Sequence, residues 1–315
     1  MKKLTLLLAL LLIISAALVG CDTSSSDETA SSDEIGETTE AETEAPKKHL
    51  TLRAELADLE GVTAVSRITA KVGEKAFPAL AMTFTSGDLS MTAEIVLPAD
   101  WQQTNCPIVL YFPEINYAPT DLACNFAVHG IGVVKLANRG TDQNEGVKDL
   151  GGEDLADCFA LLDIIKRSDF LKGRTRYLMG ASEGSIRALR LAAERPEDFA
   201  ACFAANAITD LPVLLTHHPE LIPYTEAAIG KTREDAPEEY AKRSAVTFAD
   251  RLTLPVTVIV YQGLPHASAY IEMAETLIDR LGAAGNSNTV LHRLEGVGSD
   301  FTQEALALLY PYLAP

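Results

Sequence analysis

Ser182 stands between two glycines in the run Arg176-Tyr177-Leu178-Met179-Gly180-Ala181-Ser182-Glu183-Gly184-Ser185. Gly180, Ser182 and Gly184 make a G-x-S-x-G pattern. A serine hydroxyl is a weak nucleophile until it is presented to a substrate and joined to a base. The spacing answers the first need. A side chain at either flanking position would crowd a sharp turn from strand into helix, and such a turn pushes the hydroxyl outward. The flanks agree with that turn. Tyr177-Leu178-Met179 reads as the end of a buried strand. Ser185 to Glu194 reads as a helix, with Ile186, Leu189, Ala192 and Ala193 at helical spacing and Pro196 soon after.

The elements that must position this serine follow from periodicity. A short helix over Leu52–Leu59 precedes a strand from Val62 to about Val72. Ala79–Thr85 and Met91–Leu97 alternate as antiparallel strands around Ser86-Gly87-Asp88. Pro107–Phe112 is a continuous apolar run, as expected of a strand buried on both faces. A helix near Asp121–His129, a strand Gly132–Leu136 and an amphipathic helix Glu153–Lys166 lead to the serine strand. After it come strand Phe199–Ala205, strand Pro255–Tyr261, helix Ala267–Leu281, strand Thr289–Leu294 and helix Phe301–Tyr312. Apolar strands alternating with helices predict an α/β chain with a doubly wound, mostly parallel sheet and helices on both faces. Leu211–Arg243 is expected to form a small helical insertion over the site.

Four stretches give this order a more specific meaning. They are Pro107–Phe112, Ala137-Asn138-Arg139-Gly140, Gly180–Gly184, and Tyr240-Ala241-Lys242-Arg243-Ser244-Ala245 leading to Leu254-Pro255 and Gly263. Together they resemble the α/β-hydrolase fold, and within it the catalytic domain of prolyl-oligopeptidase-type serine peptidases. The resemblance covers roughly 90 to 315, and the chain before it is too short for a propeller domain. It implies a serine hydrolase acting on an ester or a short peptide through an acyl-enzyme on Ser182, with no metal or organic cofactor.

Two triad positions depart from that family. The acid expected three residues past Gly263 is His266, and the histidine expected in the loop after the last strand is Ser299. One reading is a rewired triad in which His266 takes the Ser182 proton and Asp300 orients the imidazole, because triads are defined by geometry and roles rather than chain order. Asp210 is a second possible orienter. His217 and His218 lie near the same edge, His292 reads as a packed strand residue, His129 as a helix end, and His49 adjoins the N-terminal segment. The other reading is a catalytically inactive fold that binds a peptide or small molecule in the same cleft. The oxyanion hole implied by the resemblance takes the Glu183 N–H. Pro113 has no N–H to offer as the second donor, which leaves Glu114, or the hydroxyl of Tyr117.

The remaining sequence concerns location. Lys2 and Lys3 precede an apolar run, Leu4–Val19, that ends in Leu18-Val19-Gly20-Cys21. The run reads as a secretion signal, and its last four residues resemble the lipobox of bacterial lipoproteins, which implies cleavage before Cys21 and its acylation. Residues 1–20 are then a signal peptide, 21–48 a lipidated cysteine and tether, and 49–315 the folded domain. The tether has nine acids and no aromatic residue between 22 and 46, too little apolar surface to offset its ordering entropy. The formal charge is −18; setting aside Lys2, Lys3, Lys47 and Lys48 (+4) and the nine tether acids (−9) leaves −13 on the domain. That sign argues against nucleic acid, and against an anionic membrane surface as a partner beyond the lipid anchor. Cys106, Cys124, Cys158 and Cys202 lie in or beside apolar segments without motif spacing and read as buried thiols. Cys21→Ser is expected to move the protein from the membrane fraction to the soluble fraction, or to block its processing, with the domain still folded. Unchanged membrane fractionation would refute lipidation.

Overall fold

The computed structural model describes residues 51–114, 120–141, 144–298 and 301–313. These fall within one contact unit, Lys48–Pro315. Helix α1 (Leu52–Asp58), capped by the Thr51 hydroxyl, leads into strand β1 (Val62–Arg67). The strand expected to run on to Val72 stops at Arg67. Ala70–Val72 (β2) and Lys75–Phe77 (β3) instead form a separate hairpin turning at Gly73, which takes the left-handed φ of 56° that the turn requires. β4 (Ala79–Ser86) and β5 (Leu89–Val96) pair antiparallel around Gly87-Asp88.

The alternating part follows: β6 (Ile108–Phe112), α2 (Thr120–Val128), β7 (Gly132–Leu136), α3 (Leu155–Arg167), β8 (Arg176–Ala181), α4 (Gly184–Glu194) and β9 (Ala201–Ala205). The insertion supplies α5 (Leu211–His217), α6 (Ile222–Ile229) and α7 (Pro237–Lys242). β10 (Val256–Tyr261), α8 (Ala267–Ala283), β11 (Thr289–Leu294) and α9 (Gln303–Leu313) complete the fold. The main sheet has nine strands in the order β1-β4-β5-β7-β6-β8-β9-β10-β11. From β7 to β11 neighbouring strands are parallel, and β1, β4 and β5 join antiparallel at one edge.

Alternation along each strand sorts the core into two layers. In β6, Ile108, Leu110 and Phe112 pack with Leu161 and Ile165 of α3, Leu189 of α4 and Leu277 of α8. Val109 and Tyr111 face the other way, onto Leu122 and Phe126 of α2 and Leu306 and Leu309 of α9. A continuous apolar run is therefore what a two-faced strand needs. The chain leaves β6 for β7 on one side and returns to β8 on the other, so the strand order reverses between β6 and β8. Ligands of open α/β sheets bind outside the carboxyl ends of the strands at such a reversal.

The segment entering α3 is fixed by its own carboxylates. Asp149 accepts the amides of Gly152, Glu153 and Asp154, and its carbonyl accepts Arg243 Nε at 2.8 Å. Asp154 lies under the elbow helix α4 near that helix's Arg187, each 1% exposed. Burial pushes the Asp154 carboxyl up to about 7; Arg187 opposes this and the Asp149 carboxylate adds to it. The folded chain thus holds a proton that the unfolded chain releases near pH 4, and this contribution to stability is lost as pH rises toward and through 7. Asp154→Asn should match wild type in urea unfolding at pH 5 and exceed it by roughly 1–3 kcal/mol at pH 8. A difference of the opposite sign would remove the buried proton from the account.

Candidate active site

Ser182 follows β8 directly and has φ 47°, a left-handed value that costs a residue with a side chain. Close packing holds it there. A Cβ on Gly184 would stand 2.0 Å from the Phe112 carbonyl oxygen, and one on Gly180 would stand 2.6 Å from the Gly184 oxygen and the Ser185 Cα. Both glycines are needed, as the spacing predicts. The Ser182 N–H donates to Ala205 O at 2.9 Å, which ties the elbow to the end of β9. Ser185 turns its hydroxyl back onto the Ser182 carbonyl and accepts the Ile208 amide at 3.0 Å. From α4, Arg187 donates to the carbonyls of Leu136 and Ala137 at the end of β7 and lies over the Phe112 ring.

The strain continues along this edge of the sheet. Asn206 after β9 has φ 42°, and His266 after β10 has φ 73°. Asn206 accepts the Tyr261 amide at 3.1 Å and donates to Gly298 O at 2.7 Å. Gly263 N donates to Gly296 O at 3.0 Å. The loops after β10 and β11 are therefore laced together beside the loop after β9. Backbone strain persists where the surroundings over-determine it, and such places cluster at functional sites.

His266 sits in the N-cap position of α8 with an exposed side chain. One turn on, about 6 Å along the axis, Tyr270 brings its hydroxyl to the Ser182 side chain. Burial and then the nearby Glu114 carboxylate push the Tyr270 phenol above its ordinary range, so it stays protonated and is a donor rather than a base. The ring of His218 meets that of His266 edge-on, with centroids 4.4 Å apart. Asp300, expected to orient His266, lies outside the described residues, as do Ser299, Tyr117 and His49.

The alternatives named from sequence separate here. Asp210 caps α5 by accepting the Val213 amide, so its carboxylate serves the helix end. His217 Nε2 pairs with Glu272 at 2.7 Å. His292 lies within β11 and His129 stacks on Tyr310. Glu114, named as a second oxyanion donor, follows β6, and its carbonyl accepts Asn138 Nδ2 at 3.2 Å. This places the Ala137–Gly140 loop against the same crevice. The Glu183 carboxylate, beside Ser182, takes Lys148 Nζ at 2.6 Å and the Tyr224 hydroxyl at 2.7 Å. That bridge joins the insertion to the elbow, and an open hollow of about 430 Å³ bounded by Val147, Lys148, Tyr224, Ala227 and Ala228 lies beside it.

Sequence reasoning missed Tyr270, Lys148 and Tyr224. An i to i+4 count from His266 finds the first, while nothing in local pattern marks the other two. Among the described residues no group of three or more His, Cys, Asp or Glu could hold a metal ion, and no helix is long and apolar enough to cross a membrane. The four described cysteines are buried thiols not joined in disulfides. Burial pushes the Cys158 thiol up to about 12 and the Cys202 thiol up as well, so neither is a thiolate nucleophile.

Comparison with known proteins meets this geometry. The chain superposes on acylaminoacyl peptidase from Pyrococcus horikoshii with a TM-score of 0.60 at 17% identity, covering 71% of this chain and 38% of that one. For dipeptidyl peptidase 4 from Porphyromonas gingivalis the values are 0.60 and 17%, covering 76% and 35%. For acetyl xylan esterase 1 from a Thermoanaerobacterium species they are 0.59 and 15%, covering 84% and 92%. The chain thus spans little more than a third of either peptidase and nearly all of the esterase. At these identities the likeness establishes the α/β-hydrolase fold. No curated protein matches the sequence. Residues 123–298, more than half the chain and including the elbow and the laced loops at the sheet edge, match the prolyl oligopeptidase family, and the chain belongs to that family.

Proposed function

We propose that the protein is a serine hydrolase that cleaves an ester or short peptide bond through an acyl-enzyme on Ser182. The observation that carries this reading is Ser182 itself, held at φ 47° by glycines whose Cβ atoms would strike backbone, at the point where the strand order reverses. His266 is the general base and sits one turn before the tyrosine that touches Ser182. Asp300 follows on from the loop laced to the His266 loop. The Glu183 N–H, first after the nucleophile, is one oxyanion donor, and Glu114 N–H, at the end of β6, is the second. Tyr270, a protonated phenol against the serine, adds a donor on the same side. The open hollow beside Glu183 takes the acyl or side-chain group of a small substrate. Cys21 carries lipid that holds the enzyme at the outer face of a bacterial membrane, and the acidic segment after it keeps the domain clear of the surface.

One observation favours a second reading. Ser299 stands where the family has its histidine, so a retained fold that binds a peptide or small molecule without turnover is the alternative.

A fluorophosphonate probe decides between them, since it reacts with an activated serine and only slowly with an idle one. Wild type is expected to take the label at Ser182, and Ser182→Ala to lose it. His266→Ala is expected to lower turnover of a p-nitrophenyl ester by about two to three orders of magnitude. A wild-type protein that takes no label and hydrolyses no ester would establish the binding reading instead.

A further inference from the structure

The insertion carries an acid–imidazole pair that the family pattern does not assign. His218 closes α5, its side chain is 8% exposed, and its Nδ1 lies 3.0 Å from Glu220 Oε1. A carboxylate only accepts, so Nδ1 carries the proton, and in the neutral ring Nε2 carries a lone pair. The bond from His218 also holds the Glu220 carboxyl below its ordinary range. Nε2 is enclosed and has no hydrogen-bond partner among the described residues. A buried acceptor left unpaired costs about 1–3 kcal/mol, so such an atom calls for a donor. The ring that meets His218 edge-on at 4.4 Å is His266. The neighbouring pair, His217 with Glu272, is satisfied within itself.

We propose that Glu220 and His218 are the positioning couple for His266, doing for this base what a single carboxylate does in an ordinary triad. This rests on the reading of Ser182 as nucleophile and His266 as base. When the Ser182 oxygen adds to the substrate carbonyl, its proton passes to one nitrogen of His266. The imidazolium so formed turns its free N–H onto the unpaired Nε2 of His218, whose ring it already meets, and His218 in turn donates Nδ1–H to Glu220. The positive charge on His266 is thereby stabilised along a line ending in a carboxylate. The proton then goes from His266 to the departing alcohol or amine, and the acyl group stays on Ser182. No proton leaves His218 or reaches Glu220 at any step.

The test combines turnover of a p-nitrophenyl ester with fluorophosphonate labelling and thermal unfolding. His218→Leu is expected to lower kcat about ten- to a hundred-fold with KM within about two-fold of wild type and an unchanged Tm. His218→Gln, whose amide oxygen can accept from His266, is expected to recover most of that loss. Glu220 is half-exposed and its replacement does not threaten folding, so Glu220→Gln serves where His218→Leu fails to fold; a loss of about three- to ten-fold in kcat is expected. Wild-type kcat in either His218→Leu or Glu220→Gln overturns the couple. So does loss of turnover in His218→Leu alongside retained turnover in His266→Ala, which makes His218 the base. A wild type that takes no label at Ser182 overturns the nucleophile reading and this couple with it, and is distinguished from the other outcomes by being read on the unmutated protein.

Discussion

The contact on which the rest depends is backbone against backbone: the elbow glycine Gly184 pressed onto the Phe112 carbonyl at the end of β6. Its missing Cβ lets the start of α4 cross the end of a neighbouring parallel strand at a distance no side chain would allow. That approach aims α4 over the sheet and fixes Ser182, 7% exposed, at the turn between strand and helix. Arg187 then fastens the same helix to the end of β7, and Ser185 fastens it to the segment after β9. Three strand ends are thus held by one helix, and the crevice between them is a consequence of that arrangement rather than of any loop.

Against this fixed edge the insertion is the variable part. It touches the edge at two places of different chemistry. Tyr224 grips Glu183 alongside Lys148 of the loop before α3, through charge-assisted hydrogen bonds, while His218 meets His266 ring to ring. The first contact pairs the carboxylate next to Ser182 with a cation and a hydroxyl donor. The second sets two imidazoles ring to ring at the start of α8. The scaffold is inherited with the family; of the groups around Ser182, Tyr224 and His218 come from the insertion, Lys148 from the loop before α3 and Tyr270 from α8.

Much of this was legible in the sequence, and the limits have physical causes. Strands buried on both faces read as apolar runs, so β6, β7, β8, β9 and β10 were visible within two residues, and with them the winding of the sheet. The elbow was visible because its glycines answer a steric demand that no other residue meets. The β2–β3 hairpin was not, because Lys75-Ala76-Phe77 is short and largely exposed and leaves no periodic trace. The orientation of side chains across the site was illegible for a different reason. Tyr270 reaches Ser182 from 88 residues away, and His218 reaches His266 from 48 away, and no local pattern encodes either meeting. Asp210 looked equally suited to orient a base, yet a helix starting at the next residue claims its carboxylate.

Past the carboxyl ends of three neighbouring strands, β8, β9 and β10, stands a residue with a side chain and a left-handed backbone: Ser182 and Asn206 directly after theirs, His266 five residues on at the start of α8. Glycine would relax each of them by about 1 kcal/mol or more. The chain forgoes that gain three times in a row along one edge, while it places glycine freely at Gly61, Gly87, Gly130 and Gly230, where the same φ carries no side-chain duty. Thermal robustness and the chemistry of this edge are therefore opposed in the backbone itself. Natural chains sit close to the stability they need, so reserve held back at three adjacent positions is reserve spent on what those three side chains do.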